Sequence, residues 1–355
     1  MKHYACNLQA NSQLPRKVRV MKHMLANRNS TTLTTAALVI ILAAGMIGCS
    51  QHTSTPKVIR LDFAFYNPLS LVLKDKHFLE DDLAKDGITV EWTQSMGSNT
   101  ALDALKDKRL DFGSTAGVAA LIGRANGNPI KAIYVFSRPE WTALLVRSDS
   151  SITTIEELKG KKVAVTPGTD PHVFLLRSLD EAGLSDKDIQ LLPMPHAAGK
   201  AALEKGDVDA WAGLDPLMAQ SELEHGSKLF HRDVSINTYG VLDVREEFAA
   251  QYPQYVRRVL MAYEKARLWA VQNPDEFQRT IAQNAKLTDT VAAKVLERTD
   301  LSPSVIGNKH KTTIAGAGDV LMKSGIIKST TDVKATVDEL VDPQYARDIS
   351  PLALD

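Results

Sequence analysis

The sequence predicts an α/β protein built from two successive units, each a mixed, mostly parallel sheet flanked by helices. Three observations predict it. Short apolar runs with strand character alternate with amphipathic stretches from Val58 to Val244, the pattern of strands joined by crossover helices. The rhythm pauses at "WTALLVRSDS" (141–150) and then restarts. Beyond Arg245 the pattern is helical only, with Pro253 and Pro274 where a proline suits a helix start.

In the first unit, "VIRLDFAF" (58–65) reads as a strand, "YNP" as a turn, and "LSLVLKDKHFLEDDLAKDG" as a helix closed at Gly87. "ITVEWTQ" (88–94) is a second strand, "SMGSNT" a turn and "ALDALKDKRL" a helix. "LDFGS" (110–114) is a short strand, "AGVAALIGRANG" a small-residue helix and "IKAIYVF" (130–136) a strand. In the second unit, "ITTIEELKG" holds a helical turn. "KKVAV" (161–165) is a strand broken by Pro167 and Gly168, and a helix over 170–182 carries Leu175, Leu176, Leu179 and Ala182 at helical spacing. "IQLLPM", "VDAWAG" and "KLFH" read as strands and "HAAGKAALEKG" and "DPLMAQSELEHG" as helices, before a last strand "YGVLDV" (239–244). The helices after Arg245 need a surface to cover, and the first unit supplies it.

The formal charge is zero but unevenly spread. Residues 1–48 hold Lys2, Arg16, Lys17, Arg19, Lys22 and Arg28 and no acid; without those six, 36 basic and 42 acidic residues remain, a net charge of −6. A mildly acidic body lacks the basic face that nucleic acid requires. The apolar run Ala36 to Ile47 is about 12 residues long, against roughly 20 for a membrane span. A basic flank and short apolar core read as a secretory signal peptide, with Met21 and Met24 as alternative starts. Gly48–Cys49 resembles a bacterial lipobox, with Met46 and Ile47 looser than its usual residues. That resemblance implies cleavage before Cys49 and lipidation of its thiol and new amino group; an ordinary signal peptide cut nearby is the alternative. Cys6 is the one other cysteine, so the mature chain would carry Cys49 alone, which suits a lipid anchor better than a disulfide.

Catalytic constellations are missing. "HAAGKAAL" lacks the Ser or Thr and the earlier glycine of a phosphate-binding loop. "GAGDVL" (316–321) lacks the third glycine of a dinucleotide fingerprint, and "GSTAG" (113–117) has Thr115 where a nucleophile elbow needs serine. His172, His196, His225 and His231 fall at no zinc spacing and read as surface or helix-end residues. No metal and no cofactor is expected. What is present is a set of strand-to-helix turns rich in small polar residues: "FYNPLS" (65–70), "SMGSNT" (95–100), "GSTAG" (113–117), "TPGTD" (166–170) and "GLDP" (213–216). Ligands of open α/β sheets bind at such turns, and helix N-termini there favour anions. The expectation is a site that holds a small anion without transforming it.

The segment 151–216 contains "ELKGKKVAV", a Gly–Thr at a helix start, "LDEAGLSDKD" and "ALEKGDVDAWAGLDP". It resembles the second lobe of ABC-transporter solute-binding proteins for aliphatic sulfonates, taurine and nitrate. "ALKDKRLDFG" resembles a first-lobe motif and "WAVQNPDEF" a C-terminal helix start, so the likeness spans about residues 58–300. It implies a two-lobed, venus-flytrap fold with the ligand in the cleft, and chain crossings near Arg147–Asp149 and Asp233–Tyr239. It also implies a tether over 49–57, a first lobe over 58–147 plus 236–355, and a second over 148–235. The sequence departs from the pattern at Leu214, where a tryptophan commonly precedes the Asp–Pro pair. It departs again at Thr115, Ala116 and Gly117, where Gly–Asp usually follows "FGS", and at "YNP".

On this reading Gly168, Thr169 and Asp170 present helix N–H groups, unless Thr169 or Asp170 only caps its own helix. Ser114 and Thr115 bind from the first lobe, with Gly97 and Ser98 beside them. Tyr66 and Asn67 line the entrance. Trp211 and Asp215 flank the far wall, Trp211 alternatively being core and Asp215 alternatively a cap. Trp141 and Arg138 lie near the first crossing, where Arg138 could supply countercharge. The resemblance implies a monomeric, non-enzymatic periplasmic binding component of an ABC importer, lipid-anchored to a bacterial membrane, with the inner leaflet of the outer membrane as one location. Its ligand would be an aliphatic sulfonate or related oxyanion and its partner a permease with its ATPase. The alternatives are a binder of nitrate, taurine or a thiamine-precursor heterocycle, an enzyme like the thiamine pyrimidine synthases, and a sensor lobe.

Overall fold

The structure, a computed structural model, describes residues 55–302, 305–347 and 349. The signal peptide, the lipobox cysteine Cys49 and most of the tether lie outside the described residues. Two sheets organise the fold. The first has six strands and the second five.

The first sheet starts with β1 (Val58–Phe63), which pairs in parallel with β2 (Thr89–Gln94) and with β3 (Phe112–Ala116). Between β1 and β2 the chain turns at Asn67, whose Oδ1 accepts from the Ser70 N–H while Pro68 opens α1 (Pro68–Asp75). The single helix expected over this stretch is two, because His77 adopts φ 54° and breaks α1 from α2 (Phe78–Leu83). Next come α3 (Ser98–Lys106), α4 (Gly117–Ala125) and β4 (Ile130–Pro139). Antiparallel β10 (Gly240–Arg245) enters between β3 and β4, and β11 (Thr299–Asp300) pairs with β4 at the edge.

The second sheet contains β5 (Thr142–Val146), β6 (Lys162–Val165), β7 (Gln190–Pro193), β8 (Ala210–Leu214) and β9 (Lys228–His231). Helices α5 (Asp170–Glu181), α6 (His196–Lys205) and α7 (Leu217–His225) connect the strands. Strand β5 departs from the expected division. Its five residues are all buried and pair antiparallel with β8 and β9, so 142–146 belong to the second sheet and the first crossing falls at Glu140–Trp141, not near Arg147–Asp149. A continuous apolar run buried on both faces makes "TALLV" a sheet strand in its own right. The second crossing runs from Arg232 to Tyr239, and the Arg232 guanidinium clasps both Glu140 carboxylate oxygens at 2.7 Å, tying the two crossings together.

The remaining helices are α8 (Glu246–Gln251), α9 (Pro253–Gln272), α10 (Pro274–Ala285), α11 (Asp289–Glu297), α12 (Asn308–Ala315), α13 (Gly318–Lys323) and α14 (Val333–Leu340). Helix α9 packs on α1 and α14 on α4, covering the first sheet. Helix α11 reaches the other way: Val291 and Val295 pack against Ala219 of α7. Helix α13 meets α5, where Lys323 pairs with Asp180 at 2.7 Å. One large core includes the first sheet and these helices, while separate cores fill the two faces of the second sheet. Among the described residues no helix is long and apolar enough to cross a membrane.

Candidate functional site

Between the sheets lies a nearly closed cavity of about 10 Å³ lined by Tyr66, Ser98, Ala116, Trp141, Thr169, Asp170, Pro171 and Leu214. The strand-to-helix turns after β1, β2, β3, β6 and β8 thus converge there, as the C-terminal ends of parallel strands do in open α/β sheets. Five of the residues read as candidates from the sequence line it: Tyr66, Ser98, Trp141, Thr169 and Asp170.

Two helix ends frame the cavity. In α3 the Thr100 N–H bonds the Gly97 carbonyl, and the N–H groups of Gly97, Ser98 and Asn99 have no helical acceptor. In α5 the donors are fewer than a helix start usually offers. Pro171 has no N–H, and the His172 and Val173 N–H groups both bond the Thr169 carbonyl, which leaves Thr169 and Asp170. Gly168 holds φ +73°, the left-handed turn that aims this end, and its missing Cβ would sit 3.8 Å from the Asn99 Cβ of α3. The "TPGTD" and "SMGSNT" turns therefore face each other across the cleft.

The hydroxyls divide between floor and wall. Ser98 Oγ accepts from the Ala116 N–H at 3.0 Å, so its proton is available to a ligand. Thr169 Oγ1 donates to the Thr166 carbonyl at 2.6 Å and can only accept from one. Tyr66 Oη donates to the Ser114 carbonyl at 2.8 Å, and its ring meets Trp141 edge-on at 6.4 Å. Asp170 accepts from Trp141 Nε1 at 2.7 Å and from Thr238 Oγ1 at 2.8 Å; burial raises its pKa, and those hydrogen bonds oppose the rise.

Asn67, Ser114 and Thr115 build the floor instead of lining the cavity. Asn67 Nδ2 donates to Ser114 Oγ at 2.8 Å, and Ser114 Oγ and N–H both donate to Asp62, at 2.8 and 2.9 Å. Asp62 is fully buried, and desolvation pushes its pKa up to about 6. Thr115 Oγ1 donates to Asp243 at 2.7 Å, whose carboxyl burial holds well above the usual range. The sequence reading missed both acids, although "RLDF" and "VLDV" each set an aspartate among apolar strand residues. It also missed Pro171 in the wall, whereas Ala116 and Leu214 stand where the sequence departs from the family pattern.

Three expected site residues stand elsewhere. Arg138 is exposed on β4, over the Tyr239 ring at 5.8 Å, where it supplies no countercharge to the cavity. Trp211 is completely buried in the second sheet's core, against Gly199. Asp215 is committed to Arg298 at 3.4 Å and to the Ala219 N–H at 2.9 Å; burial raises its pKa to about 7, against the pull of Arg298. Arg298 also pairs with Glu222, so an arginine beyond α11 is held by two acids of the second lobe. His196, read as a surface or helix-end residue, does open a helix and is buried there. No lysine or arginine lines the cavity, and among the described residues no His, Cys, Asp and Glu cluster could hold a metal ion. An anion here would be held by N–H groups and hydroxyls.

Two sheets joined by paired crossings, with a cavity between them, define the two-lobed fold of the periplasmic binding proteins. Residues 83–277 match the family described as NMT1/THI5 like, and the chain belongs to it. A Bacillus subtilis (strain 168) relative named for binding aliphatic sulfonates is 28% identical over 306 residues, 85% of this chain and 92% of its own. The taurine-binding periplasmic protein of Escherichia coli (strain K12) is 24% identical over 62% of this chain and 68% of its own. The alkanesulfonate-binding protein SsuA from Xanthomonas axonopodis pv. citri, solved bound to MOPS, superposes with a TM-score of 0.74. That match covers 81% of this chain and 99% of that one at 23% identity, a likeness of fold.

Proposed function

We propose that this protein is the substrate-binding component of an ABC importer. It captures an aliphatic sulfonate or related small organic oxyanion between its lobes and delivers it to a membrane permease with its ATPase. One observation carries the reading: the N-termini of α3 and α5, from opposite lobes, meet with the Ser98 hydroxyl at one cavity whose wall holds no nucleophile–base pair. The relatives' names point the same way. The division of labour is a first lobe carrying most of the C-terminal helices, a second lobe from β5 to β9, and hinge closure at the crossings. The basic flank, short apolar run and lipobox-like Gly48–Cys49 support a periplasmic location on a lipid anchor at Cys49, and a Cys49→Ser variant should leave the membrane fraction. The protein binds and does not transform its ligand.

A second reading within the same class is an aminoalkanesulfonate such as taurine. The Asp170 carboxylate stands in the wall beside Trp141; Oδ2 accepts from Trp141 Nε1 and the Thr238 N–H, and Oδ1, which accepts from Thr238 Oγ1, keeps acceptor capacity for an ammonium group. A thermal-shift comparison of taurine, alkanesulfonates, nitrate, sulfate and thiamine-pyrimidine precursors tests both. A ligand at 100 times its Kd stabilises by about 2.7 kcal/mol. Sulfonates or taurine should give the largest shift; a shift from a heterocycle alone overturns the proposal.

A further inference from the structure

His196 opens α6 in the second lobe with an imidazole that is 4% exposed, and neither Nδ1 nor Nε2 has a hydrogen-bond partner. Buried polar atoms without partners are uncommon and costly, and each asks for a reason. Burial depresses the pKa of this imidazole to about 4, so at neutral pH the ring is neutral, with one nitrogen a donor. Its neighbour across the cleft supplies the reason. A Cβ on Gly97 would lie 3.4 Å from His196 Nε2, so the ring rests on the residue that caps α3 in the first lobe. Helix α3 is nine residues long, and its first N–H groups have no helical acceptor. The imidazole N–H therefore lacks an acceptor and stands beside helix N–H groups that have no helical acceptor, and an oxygen placed between them would serve both.

We propose that His196 is the second lobe's hydrogen-bond donor to the ligand's oxyanion, completing a subsite whose other half is the N-terminus of α3. The inference rests on the oxyanion-binding reading and adds to it a specificity-determining residue. The ring lies directly on the helix end, so the oxygen enters where the two part as the lobes open, and closure brings the imidazole and the α3 N–H groups onto it from opposite sides. The subsite selects for an acceptor oxygen and against an apolar or cationic end.

Titration calorimetry of taurine and ethanesulfonate into the wild-type protein and the His196→Phe, His196→Ala and His196→Gln variants tests this. Loss of the donor should weaken binding about 10- to 100-fold in the Phe and Ala variants. Gln, which keeps an N–H donor, should bind more tightly than Phe. Wild-type affinity in His196→Phe, or equal weakening in Gln and Phe, overturns the donor role while leaving the binding reading intact. Failure of the wild type to bind any oxyanion overturns both. Nitrogen chemical shifts of the His196 ring in the wild type, with and without taurine, need no folded variant. They should move on binding, and unchanged shifts overturn the proposal.

Discussion

The indole Nε1 of Trp141 donates to Asp170 Oδ2 at 2.7 Å, and Thr238 Oγ1 donates to Oδ1 of the same carboxylate at 2.8 Å. Trp141 belongs to the first crossing and Thr238 to the second, so one acid at the start of α5 ties both crossings to the cavity wall. Asp170→Ala strands three buried donors at once, Trp141 Nε1 and the Thr238 Oγ1 and N–H, whereas Trp141→Phe removes one donor and leaves Thr238 paired. Bonds to charged groups contribute about 1.5–3 kcal/mol. Urea denaturation should therefore show a loss of about 2–4 kcal/mol for Asp170→Ala and a smaller one for Trp141→Phe. Equal small losses would mean that the carboxylate does not organise the hinge.

Arg298 joins the C-terminal helices to the second lobe through Asp215 and Glu222. Arg298→Met leaves Asp215 buried without its counter-ion, the situation that costs about 3–5 kcal/mol in buried pairs. Glu222→Gln should cost much less, because Glu222 is partly exposed and Asp215 keeps its partner. Thermal unfolding of the two variants distinguishes them. Because Arg298 lowers the Asp215 pKa, the deficit of Arg298→Met should deepen as pH rises through about 7.

Asp62 gives a pH-dependent term of definite sign. Its folded pKa of about 6 lies above the ordinary carboxyl value of 3.8, so between those values the native state holds the extra proton. Wild-type stability relative to Asp62→Asn, which does not titrate, should therefore increase as pH falls from about 7 to 4. At 1.36 kcal/mol per pK unit the change is at most about 3 kcal/mol. Denaturation midpoints of both proteins across that range measure it; a constant difference would show that Asp62 is not desolvated.

Gly168 isolates backbone strain from packing. Its φ of +73° disfavours any Cβ, yet the nearest atom to that Cβ would be 3.8 Å away, so Gly168→Ala meets no clash. The expected cost is about 1–2 kcal/mol from conformation alone. A larger loss of ligand affinity than of stability would follow, because the turn aims the α5 N-terminus.

The alternation of strands and helices was legible because each strand is a short apolar run and each helix carries an amphipathic stripe. "TALLV" escaped because nothing in a buried run states which of two sheets it joins; that depends on pairing with β8 and β9, which are distant in sequence. The turns that line the cavity were legible as turns, and Tyr66, Ser98, Trp141, Thr169 and Asp170 do reach it. Side-chain direction was not legible. Ser114 and Thr115 share one strand and end on Asp62 and Asp243, and Arg138 lies on an exposed stretch of β4. His196 does open a helix, but its burial was not legible, because the ring rests beside Gly97, about a hundred residues earlier in the chain.

The central claim is that the interlobe cavity binds a small oxyanion. Titration calorimetry of the protein with ethanesulfonate, repeated with Ser98→Ala, tests it most directly. The wild type should bind saturably at one to one, and binding should be about tenfold weaker without the Ser98 hydroxyl. No saturable heat with ethanesulfonate, or identical affinity in Ser98→Ala, would contradict it.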